Sequence, residues 1–155
     1  LADPMNYESV IKMIRASLQN QSYPTGPFSP QFYDGRVHDI GLQKGTDLDT
    51  ARERHHVRLW LAPINLRNGE VAWMGNASFD NGVGISPVLK FPTHTISPDI
   101  DRERDYIRDE LAFYGTIAHE ETIQLVDPVL GTTGAGSPFF TDGKAHILWI
   151  KPPGQ

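Results

Sequence analysis

His55-His56-Val57-Arg58-Leu59-Trp60-Leu61 is the stretch from which the fold is read. It alternates. Strand geometry sends His55, Val57, Leu59 and Leu61 to one face and His56, Arg58 and Trp60 to the other. A strand whose second face is merely solvated carries Lys, Thr or Glu there. This one carries side chains that bind anions, metals or flat substrates. A hairpin follows: Arg67-Asn68-Gly69-Glu70 has Asn-Gly at its centre, the strongest short hairpin signal, and the return strand runs from Val71 to Asp80. A two-residue loop sets Arg67 opposite Glu70, Val57 opposite Asp80 and Arg58 opposite Phe79. His55 and Asp80 then become diagonal neighbours on one face. A bulge at Gly75 or Gly82 would break that register.

Working outward, two segments have helical periodicity. Asp3-Pro4-Met5-Asn6 opens the first, with Asp3 or Asn6 as cap, and Tyr7, Val10, Ile11, Ile14 and Leu18 form one apolar stripe. Ser97-Pro98 opens the second, with Ser97 as cap and Pro98 in the first helical position. Ile100, Ile107, Leu111 and Tyr114 lie along one side, and Gly115 is the stop. Residues 31–36, 37–43, 88–91, 116–126 and 144–150 read as further strands, and the Gly-rich run 129–142 as a loop. Phe28, Phe32 and Tyr33 read as anchors for the Pro-rich stretch before them, Trp60 and Trp73 as core anchors, and residues 45–54 as a solvated connection. The sum is one α+β domain. Its mainly antiparallel sheet holds the 55–66 and 70–80 hairpin, and the helices at 6–18 and 98–114 pack on it.

The chain has 155 residues, 14 Lys+Arg against 19 Asp+Glu, and a formal net charge of -5. That balance argues against nucleic-acid binding, since no basic excess is present to replace counterions. With no cysteine there is no disulfide, no thiolate catalysis and no cysteine-based metal site. No apolar run approaches the ~20 residues of a membrane span. Leu1-Ala2-Asp3-Pro4 does not look like an initiator start and reads as a mature or excised form.

Four blocks, taken together, resemble the LssY C-terminal domain family. They are Gly35-Arg36-Val37-His38-Asp39, His55-His56-Val57-Arg58-Leu59-Trp60, Trp73-Met74-Gly75-Asn76-Ala77-Ser78-Phe79-Asp80, and the run from Thr93-His94-Thr95-Ile96-Ser97-Pro98-Asp99 through Ile100-Asp101-Arg102-Glu103-Arg104-Asp105. The resemblance covers about residues 28 to 126. It implies a bacterial setting outside the cytoplasm or at the membrane, because such domains occur alone and attached to membrane proteins. It brings no established reaction.

Two readings of the polar residues stay open. In the first, the chain is a hydrolase acting on a phosphoester or another small anionic or lipid-derived ligand. His55, His56, Arg58, Asp80, His94 and Asp101 are then the catalytic candidates, and Trp60, Asp99, Arg102 and Arg104 the ligand-binding ones. Histidine serves as base or nucleophile at neutral pH, and arginine neutralises phosphate charge. A metal-assisted variant draws on His56, His94 and Asp101 around a divalent ion. In the second, the chain is a non-catalytic ligand- or partner-binding module. His56, Arg58, His94, Asp101 and Arg104 then form one buried network fixing the hairpin to the second helix. Both readings place His94 beside the 55–60 strand. Arg58 needs an acceptor, and the candidates are Asp101, Asp105 or a bound anion.

Overall fold

The structure, a computed structural model, describes residues 3–152 apart from 5, 28, 49, 68 and 89. Phe28 and Asn68 therefore lie outside the described residues.

The central element is a four-stranded antiparallel sheet in the order β3-β4-β5-β6, with β3 Ile40–Gly45, β4 Glu53–Asn65, β5 Val71–Ile85 and β6 Pro92–Ile96. The long hairpin β4/β5 is the one expected, but its register is not. Arg54 faces Asp80, His56 faces Ser78 and Arg58 faces Asn76. The pairing is irregular between Leu61 and Asn65, where Pro63 cannot donate to the ladder. The connection is also longer than two residues, with Gly69 N donating to Leu66 O. The resulting slip of three residues is odd, so it moves Asp80 to the other face. Asp80 joins His56 rather than His55, and His55 faces Phe79.

A second irregularity, between Asp80 and Gly82, is a bulge at one of the two glycines that invited it. Past it β5 continues to Ile85, and the last strand of the sheet is β6 rather than 88–91. Beyond Ile85, Lys90 N donates to Ser86 O and Ser86 N to Phe91 O.

Helix α1, Tyr7–Leu18, starts with a reciprocal cap: Ser9 N donates to Asn6 Oδ1 at 2.9 Å and Asn6 N donates to Ser9 Oγ at 3.1 Å. Its buried face is not the apolar stripe. Tyr7 and Leu18 are exposed, while Ser9, Ala16 and Ser17 are buried. Small side chains let the helix approach the chain at Tyr23 and Ala51, with Met13 packed alongside. So α1 lies on the 21–27 and 50–51 segments and reaches the sheet through Met13, whose sulfur is 3.6 Å from an Arg54 nitrogen.

Helix α2, Ile100–Phe113, packs on β5. Its cap is Asp99, not Ser97: Asp99 Oδ1 accepts from Arg102 N at 3.2 Å. Gly115, at φ 66°, ends it as expected.

Beyond α2, β7 (Ile117–Gln124) pairs antiparallel with β10 (Lys144–Ile150). The Gly-rich run between them is a hairpin, β8 (Val129–Thr132) with β9 (Pro138–Thr141), not a loop. The ribbon β1/β2 (Phe32–Tyr33 and Arg36–Val37) turns at Asp34 and Gly35, both with positive φ. Trp73 is not a core anchor, being 43% exposed, whereas Trp60 is buried.

Candidate functional site

The most buried face of the sheet is polar. Arg54, His56, Arg58, Trp60 and Ala62 alternate along β4 on that face, joined from β5 by Ser78 and Asp80, and all are buried. Arg54 is 2% exposed and His56 1%. A sheet face under a covering layer is ordinarily apolar. Here the layer above it, residues 21–38 with α1, meets guanidinium and imidazole groups instead.

Asp80 is the hub. His56 Nε2 is 2.8 Å from Asp80 Oδ2, an Arg54 terminal nitrogen 3.6 Å and His94 Nδ1 3.5 Å from the same oxygen. The first is a hydrogen bond; the other two are contacts longer than a good hydrogen bond. The bulge at Asp80–Gly82 lets His94, carried on β6 opposite Val83, reach this carboxylate. Arg54 also donates to Gln43 Oε1 at 3.1 Å and lies 3.4 Å from His94 Nε2. Gln43 in turn donates to the carbonyls of Pro24 and Gly26, tying the covering segment down. Arg58 donates to the Ser29 carbonyl through Nε at 3.2 Å and a terminal nitrogen at 3.0 Å, and to Ser78 Oγ at 3.3 Å. Its acceptors are thus neither Asp101 nor Asp105.

The electrostatics follow from burial. Desolvation raises the Asp80 pKa, but the His56 hydrogen bond and the positive field of His56, His94 and Arg54 outweigh it and hold the carboxyl below its usual value. Desolvation pushes His94 below the ordinary histidine value despite the Asp80 charge, so its imidazole is neutral at pH 7. Burial lowers both guanidinium groups, with Asp80 opposing; arginine nonetheless stays charged. Both buried guanidinium groups therefore feel the Asp80 charge. Arg54 Nε is buried with no hydrogen-bond partner among the described residues.

The other candidates are placed elsewhere. His55 lies on the opposite face, where its Nδ1 is 2.9 Å from both oxygens of Glu103 and its ring stacks on Tyr106 at 4.0 Å. Glu103 is 3% exposed. Asp101 and Arg104 belong to a third group that holds α2 to the C-terminal strands. Asp101 accepts from Thr141 Oγ1 and Asp142 N, both at 2.6 Å, and from Arg104 at 3.1 Å. Arg104 also binds Asp105, Asp142 and the Lys144 carbonyl. The Arg104 hydrogen bond draws Asp142 down to about 2. The single network of His56, Arg58, His94, Asp101 and Arg104 is thus two separate ones. Among the described residues no three His, Asp or Glu side chains are arranged to hold a metal ion, and the set His56, His94 and Asp101 is not assembled. Asp99 serves as helix cap. Arg102 lines a shallow surface cavity with Asp99, Asp101, Asp105, Tyr106, Asp109 and Phe140. Trp60 donates to the Arg36 carbonyl at 3.2 Å and packs against Tyr33 and His38.

Arg54, Ser78 and Glu103 are members of these buried polar clusters that sequence reasoning missed. For Arg54 the signal was present: the alternation Arg54, His56, Arg58, Trp60 extends one step before His55. For Glu103 it was weaker, a charge three positions after Ile100 and four before Ile107 on the packed side of a helix.

Fold and site together define an α+β domain built on an antiparallel sheet with a buried, cation-rich polar face. The chain belongs to the family described as LssY C-terminus, whose sequence model matches residues 1–145. No curated protein matches the chain, and no solved structure does.

Proposed function

We propose that the domain binds a phosphoester or similar small anion, including a lipid-derived one, at the Arg54–Arg58–His94 end of the polar face, and hydrolyses it. The observation that carries this reading is Arg54, a fully buried guanidinium whose Nε has no hydrogen-bond acceptor among the described residues. A buried donor left without an acceptor costs about 1–3 kcal/mol, and a bound anion removes that cost. The groups suit hydrolysis. His94, neutral at pH 7, is equipped to take a proton from an attacking water. Arg54 and Arg58 stabilise the charge gathering on the phosphoryl oxygens, and Asp80 holds His56 in a fixed orientation. The family resemblance supports an envelope setting for this activity, which cell fractionation with an antibody to the domain would test.

A second reading has its own observation. Arg54, His56 and Asp80 are almost sealed from solvent, as expected of a purely structural network in a non-catalytic binding module. One experiment separates the two. Inorganic phosphate is titrated while Trp60 fluorescence and the melting temperature are followed, and a phosphomonoester such as p-nitrophenyl phosphate is assayed in wild type and His94→Ala. Binding predicts a saturable change and a melting temperature that climbs with phosphate, by about 2.7 kcal/mol of stability at a hundredfold excess over Kd. Hydrolysis predicts that folded His94→Ala still binds phosphate and loses turnover. No saturable change, with a large stability loss in Arg58→Ala, leaves only the network.

A further inference from the structure

We propose that this domain forms a homodimer in which a second copy pairs antiparallel against the free edge of β10, with the two-fold axis at Ile147. β10 is hydrogen-bonded on one side to β7, and no strand among the described residues lies on its other side. A two-stranded ribbon is marginal in water. This one is unusually bare: every residue from Ala118 to Leu130 is exposed, as are Ile147, Trp149 and Ile150 on β10.

The surface of the whole chain says the same. It exposes 10373 Å², whereas a folded monomer of 17.3 kDa exposes roughly 7,800 Å². The excess is well above the ~800 Å² that each partner of a standard interface covers.

Edge chemistry selects β10 among the strands. Natural edges are blunted with charge, Pro, Gly or short length. β3 carries Gly41, Lys44 and Gly45; β6 carries Pro92; β7 carries Glu120 and Glu121; β8 and β9 are four residues each, with Gly131 and Pro138. From Ala145 to Ile150, β10 has none of these. Its His146 is turned to α2, bonded to Asp105 and Thr122.

The choice of a second copy follows from register. A two-fold at Ile147 sets Ile147 against its counterpart, Ala145 against the partner's Trp149, and Lys144 against the partner's Ile150. The pairs from Ala145 to Trp149 are compatible and no like charges meet, while the Lys144 backbone, already bonded to Asp142 and Arg104, marks where the ladder ends. The same operation at the centre of β7 sets Glu120 against the partner's Glu121. The product is a four-stranded sheet, β7-β10-β10-β7, whose outer face joins Ile123, Ile147 and Trp149 of both copies.

The chain has no cysteine, so a single introduced thiol is a clean probe. Facing Cβ atoms across the two-fold are about 4.5–5.5 Å apart, close enough to oxidise to a disulfide after small adjustment. Residues on β7 sit three strand spacings from their counterparts, about 14 Å. The expected results are a sedimentation mass twice that of the chain and cross-linking of Ile147→Cys but not of Glu121→Cys. Ile147→Lys should sediment as a monomer with an unchanged circular dichroism spectrum; if that variant unfolds, the cysteine pair decides. A wild type that stays monomeric at all concentrations overturns the proposal. So does a dimer in which Ile147→Cys fails to cross-link or both cysteines cross-link equally.

Discussion

At the scale of single residues the molecule turns on Asp80. Its carboxylate meets Arg54, His56 and His94, so replacing it by an isosteric amide keeps the shape and removes the charge. Asp80→Asn is expected to cost about 3–5 kcal/mol, the range for removing one partner of a buried ion pair, read as a drop in urea midpoint at pH 7. The pH dependence follows with a definite sign. The Asp80 pKa is lower folded than unfolded, so its contribution is complete above the ordinary value of about 3.9 and is lost as pH falls through the folded value. The His94 pKa is also lowered. The unfolded chain takes up that proton below about 6.5 while the folded chain resists it, so stability already declines as pH drops below that point. Wild type should therefore lose stability in two stages on acidification, and Asp80→Asn should lose less in the lower one, to which Asp142 and Asp105, also lowered, still contribute. A wild-type stability curve flat from pH 7 to 4 would refute the account of His94. His56, Arg58, Asp80 and His94 stand out by type and alternation alone. What the sequence could not supply is which of His55 and His56 meets Asp80, because that depends on the parity of the hairpin register; the turn beyond the Asn65–Val71 pair shifts it by one residue, and the irregularity near Pro63 adds an even two.

Elements show the same division between what pattern carries and what packing decides. The hairpin, α1 and α2 are visible because their periodicities and caps are local. The face that α1 buries is not, because the stripe of larger apolar residues yields to Ser9, Ala16 and Ser17, whose small size permits close approach to Tyr23 and Ala51. The Gly-rich run 129–142 hides a hairpin for a related reason. Gly131 lies under the Phe139 ring, where a Cβ would come within 2.8 Å of it, so the glycine marks cross-strand packing as well as a turn. Gly143 is the sharper case. At φ 75° its missing Cβ would collide with the Val126 carbonyl oxygen. Gly143→Ala adds a left-handed backbone cost of about 1–2 kcal/mol to that clash. The expected outcome is selective loosening of the C-terminal strands, seen by NMR as shifts confined to 117–150, with the Asp80 cluster unmoved. The cap of α1 gives a milder check: Asn6→Ala should cost about 1 kcal/mol and leave phosphate titration unchanged, since Asn6 touches none of the cluster.

As a whole, the molecule has a dense part and a sparse part joined by α2. β4 and β5 form the longest ladder and carry the buried polar face, while β7 to β10 hang on α2 through Arg104, Asp101 and the Arg108–Glu120 ion pair. Local stability follows the burial of apolar contacts and the protection of backbone hydrogen bonds. Amide exchange should therefore be slowest in β4 and β5 and fastest in β7 to β9. The second copy changes the order. Pairing along β10 protects the amides of its free edge and slows exchange in 144–150 in proportion to dimer population, while the amides of β4 and β5 keep their rates. Hydrogen exchange read by mass spectrometry on wild type at rising concentration, with Ile147→Lys as monomer reference, measures both effects at once. Protection confined to 144–150 and absent from the variant is the expected pattern. Equal protection of that strand at every concentration and in both proteins would mean that the ribbon is stable by itself, and the edge would need no partner.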